Sequence, residues 1–180
     1  MKIIFILILS VLLGACKPQE QEKSVEVKMY TATPEGQGEY VGTVSIKESA
    51  YGLIFTPHLQ HLPAGLHGFH LHEKANCAPA LKDNVVTPAL TAGGHFDPQK
   101  TKRHEGPYGM GHLGDLPALY VDNNGDAQTP VLAPRLLTLH AINNTALMIH
   151  LGGDNYSDHP HDLGGGGARI VCGVIQLSSQ

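Results

Sequence analysis

Seven stretches of the chain alternate apolar and polar residues with a period of two. They are 25–31 (VEVKMYT), 40–47 (YVGTVSIK), 52–56, 67–72 (HGFHLH), 116–121, 146–151 and 169–177. Successive side chains of a β-strand point to opposite faces, so each stretch predicts a strand. Asn123-Asn124-Gly125-Asp126 predicts a tight hairpin turn, and 136–147 a short helical turn. Many short strands separated by turn signals, in a chain long enough for one domain, predict an all-β antiparallel sandwich or barrel.

Two stretches break the alternation. Residues 73–115 mix Gly, Pro, His and charge, and 152–168 (GGDNYSDHPHDLGGGGA) are Gly-rich and poor in apolar residues. Patternless connections of this length in a compact domain are functional or disordered. Both carry candidate ligands, so ordered functional loops are expected.

The start of the chain has a different pattern. After Met1-Lys2, residues 3–13 are apolar except for Ser10. This run is shorter than the about 20 residues a membrane-spanning helix needs, and it reads as a secretory signal. It ends in Leu13-Gly14-Ala15-Cys16, which resembles a bacterial lipobox. The resemblance implies acylation at Cys16, against the alternative of an ordinary signal peptide with a chance cysteine. The expected division is then 1–15 signal peptide, 16–24 lipidated N-terminal tether (from Lys17, KPQEQEKS, polar and flexible) and 25–180 functional domain. The expected location is the periplasm, lipid-anchored. Lys17 rather than Asp after the cysteine points to the outer membrane.

Charge narrows the function. The net charge is −4, and loss of residues 1–15 leaves 11 basic and 16 acidic residues, or −5. That balance argues against a nucleic-acid partner. An acidic protein repels anions on average, so handling one requires a local cationic spot. With Cys16 assigned to lipid, Cys77 and Cys172 are an even pair in an oxidising compartment and are expected to form a disulfide. Closing a loop of about 95 residues stabilises the fold by roughly 4–5 kcal/mol.

The composition contains 12 His, as many as Lys and Arg together, which hints at metal. His70-Leu71-His72 would place two imidazoles on one face of a strand. The 146–151 strand carries His150 just before the Gly-rich loop. His95, His104, His112 and Asp115 form a second set, three imidazoles and one carboxylate of the kind Zn²⁺ accepts. Spacings of nine, eight and three residues fit no single helix face, so a loop must fold round the ion. The all-imidazole strand set suits copper.

The stretches GFHLHE (68–73), AGGHFDP (92–98), GHLGDLPAL (111–119), MIHLGGDN (148–155) and LGGGGARIVCGVI (163–175) together resemble the copper–zinc superoxide dismutases of bacterial, periplasmic type. The resemblance implies an eight-stranded antiparallel Greek-key sandwich or barrel with two long functional loops, and one Cu and one Zn per chain. It implies copper on His70, His72, His95 and His150, and zinc on His95, His104, His112 and Asp115, with His95 shared. It implies a Cys77–Cys172 disulfide and Arg169 as the active-site arginine. The reaction implied is disproportionation of superoxide to O₂ and hydrogen peroxide by Cu(II)/Cu(I) cycling, protecting the cell envelope. An aspartate of the last loop is expected to hold one copper and one zinc histidine from behind, Asp154 as first choice and Asp158 as the alternative. Lys82 is a candidate for anion steering. Relatives of this type are dimers or monomers, so a homodimer is an allowed expectation.

His58, His61, His67, His140, His159 and His161 fall outside both sets and read as surface or satisfied residues. Two other functions compete. A non-catalytic copper carrier on the same scaffold would lack ligands or the arginine, and all are present here. A zinc hydrolase would need an open zinc site, which Asp115 closes.

Overall fold

A computed structural model of the protein describes residues 23–177; the signal run, Cys16 and most of the tether lie outside the described residues. The strands are β1 (Ser24–Thr33), β2 (Gly36–Ser49), β3 (Gly52–Leu59), β4 (Gly65–His67), β5 (Phe69–His72), β6 (Ala80–Lys82), β7 (Val85–Thr87), β8 (Leu119–Val121), β9 (Val131–Ala133), β10 (Thr145–His150) and β11 (Arg169–Ile175). All seven alternating stretches contain strand. Seven strands form one antiparallel sheet in the order β5-β10-β11-β1-β2-β3-β9, and β4 pairs with β8. Only Gly68 separates β4 from β5, so that run passes from the β8 pair into the main sheet. Counting β4 and β5 as one strand, and setting aside the β6–β7 hairpin inside the first loop, leaves eight strands among the described residues, the number expected. The first and last strands of the chain, β1 and β11, are neighbours, as a Greek key requires.

The alternation sets the core. Val27 and Met29 of β1, Val44 and Ile46 of β2, Leu53, Phe55 and Leu59 of β3, and Phe69 and Leu71 of β5 all point inward and are fully buried. Phe55 and Phe69 meet edge-on with ring centres 6.0 Å apart, the arrangement that suits ring quadrupoles. Gly42 interrupts β2 at φ 128°, where a Cβ would run into the His58 carbonyl of β3; only glycine fits that approach.

β10 departs from a half-buried strand: all six of its residues are buried. Leu147 and Ile149 face the core, while Ala146 and Met148 face outward into a second apolar cluster with Ala89, Ala92 and Cys172. The long first loop therefore covers the outer face of the sheet at this place. It also covers the free edge of β5. Leu71 donates its N–H to the Gly114 carbonyl and accepts from Phe96 N–H, and Glu73 N–H donates to the Gly94 carbonyl. An edge strand protected in this way is closed to further pairing.

Two local features differ from the expectations, and a third takes its 3₁₀ form. The turn at 123–126 forms, tied by Asp122, whose Oδ1 accepts from the N–H groups of Asn124 and Asp126. It does not pair the strands on either side: β8 pairs with β4 and β9 with β3. The patternless first loop contains the small hairpin β6–β7, turned by Asp83 and Asn84, both at positive φ. The helical turn expected in 136–147 is a single 3₁₀ turn, Leu139–Ile142, capped by Thr138.

Candidate metal centre

The pleat of β5 and β10 builds the first half of the site. Phe69 and Leu71 point into the core, so His70 and His72 point outward. In the paired strand β10, Ala146 is level with His72 and Met148 with His70, which puts His150 on the same outer face. The first loop meets the edge of β5 twice, bringing His95 level with His72 and Asp115 level with His70.

Two four-residue groups result. His70, His72, His95 and His150 present nitrogens all within 4.8 Å of one another, and so do the ligand atoms of His95, His104, His112 and Asp115. His95 belongs to both. All seven residues are buried.

Hydrogen bonds fix which nitrogen of each ring is free. His72 Nδ1 donates to the Gly93 carbonyl at 2.9 Å and His150 Nδ1 to the Gly167 carbonyl at 3.1 Å. Their Nε2 atoms then face each other at 3.4 Å. His70 Nε2 and His104 Nε2 donate to the two oxygens of Asp154, each at 2.7 Å. His95 Nδ1 lies 2.9 Å from Asp115 Oδ1, which leaves its Nε2 to the first group. Asp154 is thus the carboxylate that spans both groups. Asp158 binds backbone instead, accepting from the N–H groups of His104 and Leu163. Gly164, at φ 73°, lies so close behind that a Cβ would strike Asp154 Oδ1 and His104 Nε2.

The residues fit metal ions. The Nδ1 atoms of His70, His104 and His112 are buried without a hydrogen-bond partner. Asp115 Oδ1 is 3.1 Å from His104 Nδ1 and 3.4 Å from His112 Nδ1, yet neither contact has hydrogen-bond direction. Orphaned buried nitrogens are costly in a protein interior, and a cation among them removes the cost. The donors match as well, four imidazoles on one side and three imidazoles with a carboxylate on the other.

Charge is divided between the two halves. Burial is the main cause that lowers His70 to about 3, His150 to about 4 and His72 well below its ordinary value, with the His95 ring adding to each. Burial likewise lowers His95. Burial opposes charge on His104 too, but Asp115 and Asp154 outweigh it and raise that ring to about 9. Burial would raise both carboxyls. The surrounding imidazoles prevail and hold Asp115 and Asp154 below the ordinary carboxylate range.

The consequence for the metal-free protein has a definite sign. The lowered histidines take up protons on unfolding, so their stability is present above 6.5 and is lost as pH falls toward 4. His104 acts in the other direction, its contribution being complete below 6.5 and lost only as pH rises through about 9. Below 6.5 the lowered set therefore governs. We expect at least one proton per unfolding event, about 1.4 kcal/mol per pH unit, which is about 3–6 °C in Tm for a chain of this size. Thermal melts of the metal-free protein between pH 6.5 and 4 check this; a flat Tm would contradict it.

Asp154 gives a second prediction. Asn at this position has one acceptor oxygen and cannot satisfy both imidazole N–H groups. Asp154→Asn is expected to weaken zinc retention about tenfold, read by competition with a chelator; unchanged retention would deny the aspartate its role.

Arg169 enters from the start of β11, level with His150. Its guanidinium donates from Nη1 to the Ala89 carbonyl at 2.6 Å and from Nη2 to the Gly93 carbonyl at 2.7 Å. Gly93 also holds His72, so the arginine and that imidazole share one anchor. Cys77 and Cys172 are joined, with Cα atoms 5.9 Å apart. Lys82 is exposed on β6.

Two supporting residues carry little or no signal in the sequence. His67 is buried, with Nδ1 2.8 Å from the His150 carbonyl and Nε2 2.7 Å from that of Pro63. Its place two residues before Phe69 is its only mark. Arg135 donates to the carbonyls of His112 (3.0 Å) and Gly111 (2.8 Å), bracing the loop from the end of β9. Nothing in the sequence marks it. His58, His61, His140, His159 and His161 are exposed.

Residues 40–175 match the profile of the copper/zinc superoxide dismutases. The curated Superoxide dismutase [Cu-Zn] 2 of Salmonella typhimurium is 56% identical over 156 residues, 87% of this chain and 90% of the relative. The solved Cu/Zn superoxide dismutase from Brucella abortus has a TM-score of 0.85 and 52% identity, over 86% of this chain and 100% of that one. The solution structure of the monomeric copper, zinc superoxide dismutase from Salmonella enterica has a TM-score of 0.78 and 56% identity, with the same coverage.

Proposed function

The chain belongs to the copper/zinc superoxide dismutase family, and from that premise we propose how its own residues divide the work. It is an oxidoreductase that disproportionates superoxide to O₂ and hydrogen peroxide and uses copper and zinc. In our reading His70, His72, His95 and His150 hold copper, and His95, His104, His112 and Asp115 hold zinc, one ion of each per chain. The membership of His95 in both groups carries this reading.

A copper ion held by four imidazoles supplies one-electron chemistry in both directions. The chain does the rest. Arg169, fixed by two carbonyls, offers its remaining N–H groups and a charge it does not lose to an arriving anion. His95 has Nδ1 committed to the Asp115 side, so Nε2 is the atom that can hold a proton and deliver it to the product. Asp154 keeps His70 and His104 presenting Nδ1 to the ions. A dismutase assay on the mature domain, with copper and zinc measured on the same sample, tests the whole reading. Zinc alone in fully metallated protein, without activity, would sink it.

The placement of the enzyme is also our proposal. The run at 3–13 and the Leu13-Gly14-Ala15-Cys16 sequence support export, cleavage after Ala15 and acylation of Cys16. The division 1–15, 16–24 and 25–180 follows. The enzyme would then sit in the periplasm, anchored at the outer membrane, and protect the envelope from superoxide made outside the cytoplasm. A homodimer has one surface in its favour: Leu66 and Tyr120, cross-strand partners of β4 and β8, are both more than half exposed. The Salmonella enterica relative, by contrast, is a monomer in solution. Sedimentation of the mature domain decides between the two states.

A further inference from the structure

We propose that the end of the barrel where the chain enters rests on the lipid bilayer, with Tyr51 and Leu137 in the headgroup layer. The proposal rests on acylation of Cys16 and adds to it a docked face and a fixed orientation.

The length of chain between anchor and fold limits the geometry. Cys16 and Ser24, the first residue of β1, are eight residues apart. At no more than about 3.5 Å per residue, Ser24 stays within roughly 28 Å of the acylated cysteine. Which part of the barrel meets the membrane then follows from the register. Ser24 pairs with Lys47, and Glu48 N–H donates to the Lys23 carbonyl. The β2–β3 hairpin runs on past that point to its tip, so Tyr51 projects beyond the place where the chain leaves toward its anchor.

The projecting tip is apolar where a soluble surface has no need of it. Tyr51 is 78% exposed and Leu137 is 65% exposed. Both belong to one packed corner: Leu53 N–H donates to the Leu136 carbonyl, and Leu139 N–H to Glu48 Oε1. That second bond also occupies the carboxylate of Glu48, on the rising arm of the hairpin. Lys23 is exposed beside it. A tyrosine and a leucine with an adjacent lysine form the combination that suits a headgroup layer bearing negative charge. Alone their affinity is weak, but an anchor within roughly 28 Å makes docking an intramolecular event, for which weak affinity suffices.

Orientation follows from the strands. Thr31 pairs with Val171, so Arg169 lies near the far end of the 10-residue β1 from Ser24, roughly 30 Å along the strand direction. β5 is three strands round the sheet from β1. Docking by the β2–β3 tip turns the guanidinium and the copper ligands away from the bilayer. Several screening lengths then separate an anionic substrate from anionic lipid, which would otherwise deplete it near the surface.

The chain contains no Trp, so a Tyr51→Trp variant carries a single indole reporter. The metal-loaded mature chain is coupled through Cys16, its only thiol outside the disulfide, to a maleimide lipid in vesicles of phosphatidylethanolamine and phosphatidylglycerol. Headgroup-region spin-labelled lipid is the quencher. Docking predicts about twofold or greater quenching of the indole in Tyr51→Trp, and little in a Tyr40→Trp control near the other end of the same hairpin. Adding Leu137→Asp to Tyr51→Trp should reduce the quenching. Equal quenching of the tip indole and the control, on a chain that stays with the vesicles, overturns docking and leaves acylation untouched. The mass of the chain purified from membranes reads acylation separately. An unmodified Cys16 there removes the setting, and the proposal with it, whatever the coupled chain does.

Discussion

Cys77→Ser is expected to lower the stability of the oxidised, metal-free protein by roughly 4–5 kcal/mol, or about 10–15 °C in Tm. The disulfide closes a separation of 95 residues, so the unfolded chain loses much of its freedom when the bond is present. The folded state depends on it as well. Cys172 packs with Ala89, Ala92, Ala146 and Met148 in the cluster that covers the outer face of β10. The loop that starts at Cys77 supplies the carbonyls of Ala89 and Gly93 that hold Arg169, and Gly93 also holds His72. Cutting the bond therefore frees the segment that positions both His72, a copper ligand in the proposed reading, and the Arg169 guanidinium. Melting of oxidised wild type and variant without metals isolates this effect, because bound ions stabilise the fold by mass action. Equal melting temperatures would contradict it.

Much of this site is legible in the sequence, for physical reasons that differ by residue. His70 and His72 stand out because a two-residue spacing on a strand needs no tertiary knowledge to share a face. Asp115 and the three loop histidines stand out because their chemistry suits zinc, although the spacing says only that a loop must close. The sequence leaves the bridging aspartate open between Asp154 and Asp158, since the choice depends on which carboxylate reaches two rings across the loop. Asp154 does so, and Asp158 reaches the His104 backbone instead. Arg135 gives no signal, because its partners Gly111 and His112 lie more than twenty residues away and accept through carbonyls that every residue has. The hairpin reading at 123–126 fails for a related reason. Local turn chemistry is encoded by Asp122 and Gly125, but the partners of the flanking strands are set by the barrel. β10 shows the same limit: its burial on both faces depends on a loop more than thirty residues earlier in the chain.

Arg169→Ala is expected to lower turnover of superoxide about ten- to a hundredfold at low salt, with copper content unchanged. That is a general range for removing local attraction from a charged cleft, drawn in part from superoxide dismutases themselves. Arg169 touches none of the ligand nitrogens; its bonds go to Ala89 and Gly93. The ions should therefore stay while anion capture weakens. Because the chain is acidic, the lost cation is not replaced by the average field, and the salt dependence of the rate should flatten or change sign. Arg169→Lys separates charge from geometry. A lysine keeps the charge but cannot span both carbonyls as a planar fork, so its rate should fall between the other two with the salt dependence preserved. If instead Arg169→Ala keeps full turnover and full copper, the residue is only a brace between β11 and the first loop, and the local cationic spot that an acidic dismutase requires must be sought elsewhere, with exposed Lys82 the next side chain to replace.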